Sequence, residues 1–213
     1  MTKKPEIVGI YGGTFSPPHR GHRKAAETFL EAIRPDTLFV IPTFLPPHKE
    51  VSPADSPEHR LAMTRLAFAG LESTVVSDME ILRRGRSYTY DTLTELSEEG
   101  RELYFLCGTD MLLTVDSWYR AEDLFRLATF VLERRECDRS LDVEVRERID
   151  YYKSTFGARI VEIDIDPILL SSTDVRNAAM RGASRDELAE LVGGEVADYI
   201  VSHGLYRAEE AKG

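Results

Sequence analysis

Short apolar runs recur along this chain, and a stretch with helical spacing follows most of them. Glu6–Tyr11 reads as a strand. Gly21–Ile33 reads as a helix, with Ala26, Phe29, Leu30 and Ile33 on one face. Thr37–Ile41 is a second strand built on Leu-Phe-Val-Ile, and such unbroken apolar runs suit a parallel sheet covered on both faces. Ser56–Pro57 starts a helix, as N-cap and first-turn proline, and Gly70 ends it. A strand follows near Thr74–Ser77. Thr89 or Asp91 opens a helix that stops at Gly100, Glu102–Cys107 and Thr129–Glu133 are strands, and Asp142–Thr155 is helical. Ile160–Ile163 is the last strand. Helices fill most of Thr173–His203, broken around Gly182 and Gly193-Gly194. The alternation predicts an α/β fold with a doubly wound, mostly parallel sheet. With 213 residues, a single domain 1–213 is expected, its C-terminal part helical from about 173.

The composition narrows the function classes. The formal charge is −10, whereas duplex-binding proteins present a basic face to neutralise phosphates. Nucleic acid is therefore not an expected partner, and a small anionic substrate held by local basic loops suits the chain better. No apolar run approaches the roughly 20 residues that span a bilayer, so no membrane association is expected. The N-terminus lacks the apolar core of a signal peptide, which predicts a cytoplasmic protein. Cys107 and Cys137 stand far apart in no metal-like spacing and read as reduced, buried thiols. A homo-oligomer is compatible with all of this.

In doubly wound sheets, ligands bind beyond the carboxyl ends of the strands. Gly12-Gly13-Thr14-Phe15-Ser16-Pro17-Pro18-His19-Arg20-Gly21-His22 follows the first strand. The glycine pair reads as a turn that lets a ligand approach the backbone, and the helix N-terminus beyond it adds roughly half a positive charge. Two histidines at a helix N-terminus are oddly placed unless they meet an anion, since the dipole disfavours a cation there. They do not match the His-Glu-x-x-His zinc pattern and lack further ligands nearby, so no metal site is expected.

Leu170-Ser171-Ser172-Thr173-Asp174-Val175-Arg176 carries a second such pattern. Ser172 reads as the N-cap of a helix beginning at Thr173. Hydroxyls, helix amides and a guanidinium can converge there on one polyanion. Taken alone, this stretch is an ordinary cap and a solvated arginine.

Together these stretches resemble the Gly-Thr-Phe-Asp-Pro-x-His-x-Gly-His and Ile-Ser-Ser-Thr-x-Ile-Arg signatures of the nucleotidyltransferase superfamily related to class I aminoacyl-tRNA synthetases, which has a Rossmann-like fold. Ser16 stands where that pattern has aspartate. The middle of the chain resembles the bacterial nicotinate-nucleotide adenylyltransferases: Pro42–Lys49 with its Pro-Pro-His-Lys, Ser87-Tyr88-Thr89-Tyr90-Asp91-Thr92-Leu93, Gly108-Thr109-Asp110 followed by Trp118, and Arg134. The resemblance covers nearly the whole chain. It implies catalytic roles for His19, His22, Lys49 and Arg176. It implies ATP and phosphate binding by Gly12, Gly13, Thr14, Phe15, Gly108, Asp110, Ser171, Ser172 and Thr173. It implies nicotinate nucleotide binding by His48, Thr89, Tyr90, Trp118, Tyr119 and Arg134.

The reaction so implied joins nicotinate mononucleotide and ATP into nicotinate adenine dinucleotide and pyrophosphate, a step of NAD biosynthesis. The nucleophile is a phosphate oxygen already ionised at neutral pH, so no general base is needed. Catalysis then rests on positioning and charge stabilisation, with Mg²⁺ arriving on ATP. The competing readings are a nucleotidyltransferase for nicotinamide mononucleotide or a phosphopantetheine-like acceptor, a non-catalytic nucleotide-binding module, and an aminoacyl-tRNA synthetase fragment. The whole-chain match disfavours the first, the intact basic residues the second, and the acidic charge the third.

Overall fold

The computed structural model describes residues 4–46, 56–134, 141–164 and 168–207. Six parallel strands form one sheet in the order β3-β2-β1-β4-β5-β6. They are β1 Glu6–Gly13, β2 Thr37–Pro42, β3 Thr74–Val76, β4 Arg101–Gly108, β5 Ala128–Arg134 and β6 Ile160–Asp164. The strands expected from apolar runs are all present, extended by a residue or two at their ends or, at β3, one residue shorter.

Side chains alternate across the sheet and feed two cores. Val8, Ile10, Phe105, Phe130 and Leu132 point to one face, and Tyr11, Val40, Leu106 and Val131 to the other. The first face is covered by α4 (Thr89–Leu96), α6 (Ala121–Leu127) and α7 (Asp142–Phe156). The second is covered by α1 (Arg20–Ile33), α2 (Pro57–Ala67), α8 (Ser172–Met180), α9 (Arg185–Val192) and α10 (Gly194–Ser202). Burial on both faces explains why the strand sequences are apolar without interruption. Gly9 shows how closely α1 lies on β1: a Cβ there would come within 2.5 Å of the Phe29 ring.

Three short segments were not anticipated: α3 (Met79–Arg83), α5 (Thr109–Leu112) and the 3₁₀ turn Val115–Ser117. The helix α6 was also unread. All four are too short to display a helical apolar period over a useful window. The loops after β1 and β4 leave toward opposite faces, so a crevice opens between them at the carboxyl edge of the sheet.

Candidate active site

The crevice holds a cleft of about 790 Å³, within the ~300–1,000 Å³ of ordinary small-molecule sites. Gly12, Gly13, Thr14 and His22 form one wall. Arg86, Ser87, Tyr88 and Thr89 form another, and Gly108, Asp110, Trp118 and Tyr119 close the third.

Gly12 and Gly13 are not a turn, contrary to the sequence reading. Both are extended residues of β1, and the chain turns at Phe15, which is left-handed at φ 49°. A non-glycine residue there is uncommon and strained. The glycine at 13 is explained by packing, since a Cβ would lie 2.9 Å from the Phe15 ring. That ring is buried, edge-on to Tyr11 at 5.4 Å and to Phe68 at 5.8 Å. Only the backbone of Phe15 is therefore available to a ligand.

His19 is the N-cap of α1. Its backbone N–H donates to His22 Nδ1 at 3.1 Å, which leaves the neutral ring's hydrogen on Nε2. The two rings lie 3.7 Å apart between centroids. His22 lines the cleft, whereas His19, only 3% exposed, faces an adjoining groove with Arg20, Arg23 and Gly193. Between them, Gly21 leaves room for the His19 ring, which a Cβ would approach to 3.0 Å.

The second motif docks on the first. Helix α8 begins one residue earlier than expected, so its N-cap is Ser171, whose Oγ accepts from the Asp174 amide. Asp174 accepts in return from the Ser171 hydroxyl and amide, and these bonds hold its carboxyl below the usual range. Ser172 is thereby free of the capping role, and its Oγ–H donates to the Pro17 carbonyl at 2.9 Å. Arg176 donates to the Ser16 carbonyl at 2.6 Å and to Thr173 Oγ1 at 2.8 Å.

On the opposite side, Thr89 opens α4 and Tyr88 precedes it as N-cap. Trp118 is half-buried with its ring edge-on to Phe105 at 6.4 Å. Tyr119 is exposed and approaches Tyr88 at 4.9 Å and Tyr90 at 5.8 Å. Tyr90 itself turns from the cleft and carries the Arg120 guanidinium 4.3 Å over its ring. Arg134 ends β5 and pairs with Asp142 at 2.5 Å, outside the cleft lining. His48 and Lys49 lie outside the described residues.

Several site residues escaped the sequence reading. Glu80 of α3 lines the cleft at 6% exposure, and its Oε1 accepts from Thr92 Oγ1 at 2.5 Å. Burial raises its carboxyl above the ordinary range, against the pull of hydrogen bonds from Thr92 and Ser87. Glu133 closes an otherwise apolar strand, a signal that was legible, and it too lines the cleft while buried. Arg86 is the one lysine or arginine of the lining among the described residues. Arg60 of α2 is wholly buried and donates to the carbonyls of Thr14 and Phe44. Cys107 is buried beneath the cleft, and burial, with Glu133 nearby, pushes its thiol far above the usual range.

The cytidylyltransferase-like family matches residues 10–178. A protein of Oceanobacillus iheyensis named "Probable nicotinate-nucleotide adenylyltransferase" is 35% identical over 201 residues, covering 93% of this chain and 96% of that protein. One of the same name from Carboxydothermus hydrogenoformans is 36% identical over 204 residues, covering 94% and 98%. Among solved structures, the Plasmodium falciparum nicotinic acid mononucleotide adenylyltransferase complexed with NaAD superposes with a TM-score of 0.75 at 20% identity, over 94% of this chain and 97% of that one.

Proposed function

The chain belongs to the cytidylyltransferase-like family and, within it, to the nicotinate-nucleotide adenylyltransferases, and from that membership we infer how its residues divide the work. It is a nucleotidyltransferase that moves the adenylyl group of ATP onto nicotinate mononucleotide, in NAD biosynthesis. The observation that carries the division is the meeting of the two phosphate motifs: Ser172 and Arg176 bond to Pro17 and Ser16, beside His22 and Thr14 on the cleft wall.

In this reading ATP lies along the Gly12–Thr14 edge, Gly108 and Asp110, with its phosphates across the α1 and α8 N-termini. The amide of Phe15 and the helix dipoles favour negative charge there. His22 donates Nε2–H to the α-phosphate, and His19 and Thr173 support the phosphates from the flank. Arg176 spends two of its five N–H donors on Ser16 and Thr173 and keeps three for the leaving pyrophosphate. Ser171 acts by capping α8. Lys49, for the phosphates, and His48, for the acceptor, are assigned on the family resemblance alone and lie outside the described residues.

The acceptor ring lies against Trp118 and Tyr119, its carboxylate meets the amides of Thr89 and Tyr90, and Arg86 and Arg134 supply positive potential. The acceptor phosphate attacks the α-phosphorus in line, one P–O bond forms as the bond to pyrophosphate breaks, and no proton must move. Enzymes of this kind use a divalent metal with ATP. Among the described residues no group of three His, Cys, Asp or Glu is placed to hold one, so Mg²⁺ bound to the triphosphate and water fits the donor set. It would offset charge on the phosphate oxygens. Among the described residues no helix is long and apolar enough to cross a membrane, and we assign the reaction to the cytoplasm.

A coupled assay with ATP and either pyridine mononucleotide tests the reading. His22→Ala should lower kcat on the order of 10²–10³-fold in a protein that still folds, with a stability loss of about 1 kcal/mol for the lost bond to the His19 amide. Turnover close to that of the parent would refute the phosphate role of His22, and equal use of the amide nucleotide would refute the acceptor assignment.

A further inference from the structure

We propose that Arg60 is a positioning residue that fixes the ATP-receiving edge and the acceptor-facing loop relative to one another. Its guanidinium reaches out of the first turn of α2, fully buried, and among the described residues it donates to two segments. Nη1 donates to the Thr14 carbonyl at 2.9 Å and Nη2 to the Phe44 carbonyl at 2.9 Å. Thr14 belongs to the loop after β1, and Phe44 to the loop after β2. The Thr43 amide also donates to the Gly13 carbonyl at 2.9 Å, so the two loops run side by side at this point.

The consequence for Thr14 follows from the planar trans peptide. With its carbonyl drawn to Arg60, the Phe15 N–H points the opposite way, away from the guanidinium. Arg60 thus sets the direction of an amide in the phosphate motif without touching a phosphate. At Phe44 the fixation continues: its amide donates to Ser87 Oγ at 2.9 Å, and the Ser87 amide donates to the Leu45 carbonyl at 3.0 Å. Ser87 is buried, bonds to Glu80, and lies two residues before Thr89. One unbroken polar chain therefore runs from Thr14 through Arg60, Phe44 and Ser87 to the wall that faces the acceptor.

An in-line displacement depends on the relative placement of its two substrates, and a misplacement near 1 Å can cost on the order of 10²-fold in rate. Arg60 can hold two carbonyls at once because its donors form a rigid planar fork, whereas lysine offers a point charge. The proposal rests on the reading that the Thr14 edge receives ATP, which parent turnover and His22→Ala test separately.

The experiment compares the full chain with Arg60→Lys, Arg60→Met and Ser87→Ala. Binding of nicotinate mononucleotide and of a non-transferable ATP analogue is measured singly, with kcat, both KM values and thermal unfolding. Arg60→Lys should bind each ligand alone within about threefold of the parent and turn over on the order of 10²-fold more slowly. Ser87→Ala should show the same signature, a fall in kcat with little change in KM, at smaller amplitude. A folded Arg60→Lys protein with kcat within about twofold of the parent overturns the proposal. A loss confined to KM, or one matching the unfolded fraction, overturns it as well and leaves Arg60 a structural residue. Should neither Arg60 variant fold, Ser87→Ala decides: unchanged kcat overturns the proposal, and a kcat-specific loss supports it.

Discussion

Glu80 carries a buried carboxyl into the wall of the cleft. Its hydrogen bonds from Thr92 and Ser87 favour the charged form, yet burial outweighs them and raises its pKa above 4.5. The sign of the stability effect follows. A raised folded-state pKa means the folded chain binds the extra proton, so this contribution is complete below pH 4.5 and is lost as pH rises through the folded value. Glu80→Gln, neutral throughout, should therefore gain stability relative to the parent between about pH 4.5 and neutrality. Denaturant midpoints across that range check it, and parallel pH profiles for the two proteins would refute it.

At the scale of elements, α8 depends on a small reciprocal device at its start. Ser171 and Asp174 satisfy each other's amides, and that cap frees Ser172 to reach Pro17. Ser171→Ala should cost about 1 kcal/mol of stability, and fraying of the first turn should raise KM for ATP more than for the acceptor. An unchanged unfolding midpoint together with an unchanged KM for ATP would defeat this account. How far the elements could be read beforehand depended on where their determinants lie. The strands were legible because double burial writes an apolar run directly into the sequence, as at Leu38–Ile41. The α8 cap was displaced by one residue because Ser171, Ser172 and Thr173 are equally good caps by type. Gly13 suggests a turn by residue type because its real constraint, the Phe15 ring, is a matter of packing. The role of Arg60 is not legible because its partners among the described residues lie 46 and 16 residues away and are carbonyls, which carry no side-chain signature.

In the whole molecule, the walls of the cleft are the same elements that bury the two cores. Trp118, the sole tryptophan, sits on the cleft and packs on Phe105 of the central sheet, while α8–α10 pack with α1 and α2 on the opposite face. Tryptophan fluorescence and far-ultraviolet helicity should consequently be lost in one transition, since the C-terminal helices share β1 and β4 with the site. A fluorescence change that clearly precedes the loss of helicity would contradict that coupling. The fold class is the most legible property of all, because the alternation of strand and helix is repeated along the chain, whereas the cleft is legible only where motifs mark it, after β1 and β4 and at the start of α4.

The departure of the β1 and β4 loops to opposite faces has a consequence for how such a chain can change over generations. On the assignment proposed above, the ATP phosphates meet helices of one face and the acceptor largely helices of the other, so most substitutions that reshape one contact are out of reach of the other. Acceptor preference can drift while ATP handling is inherited intact. The run from Thr14 through Arg60 to Ser87 is the exception, the seam at which the two histories have to move together.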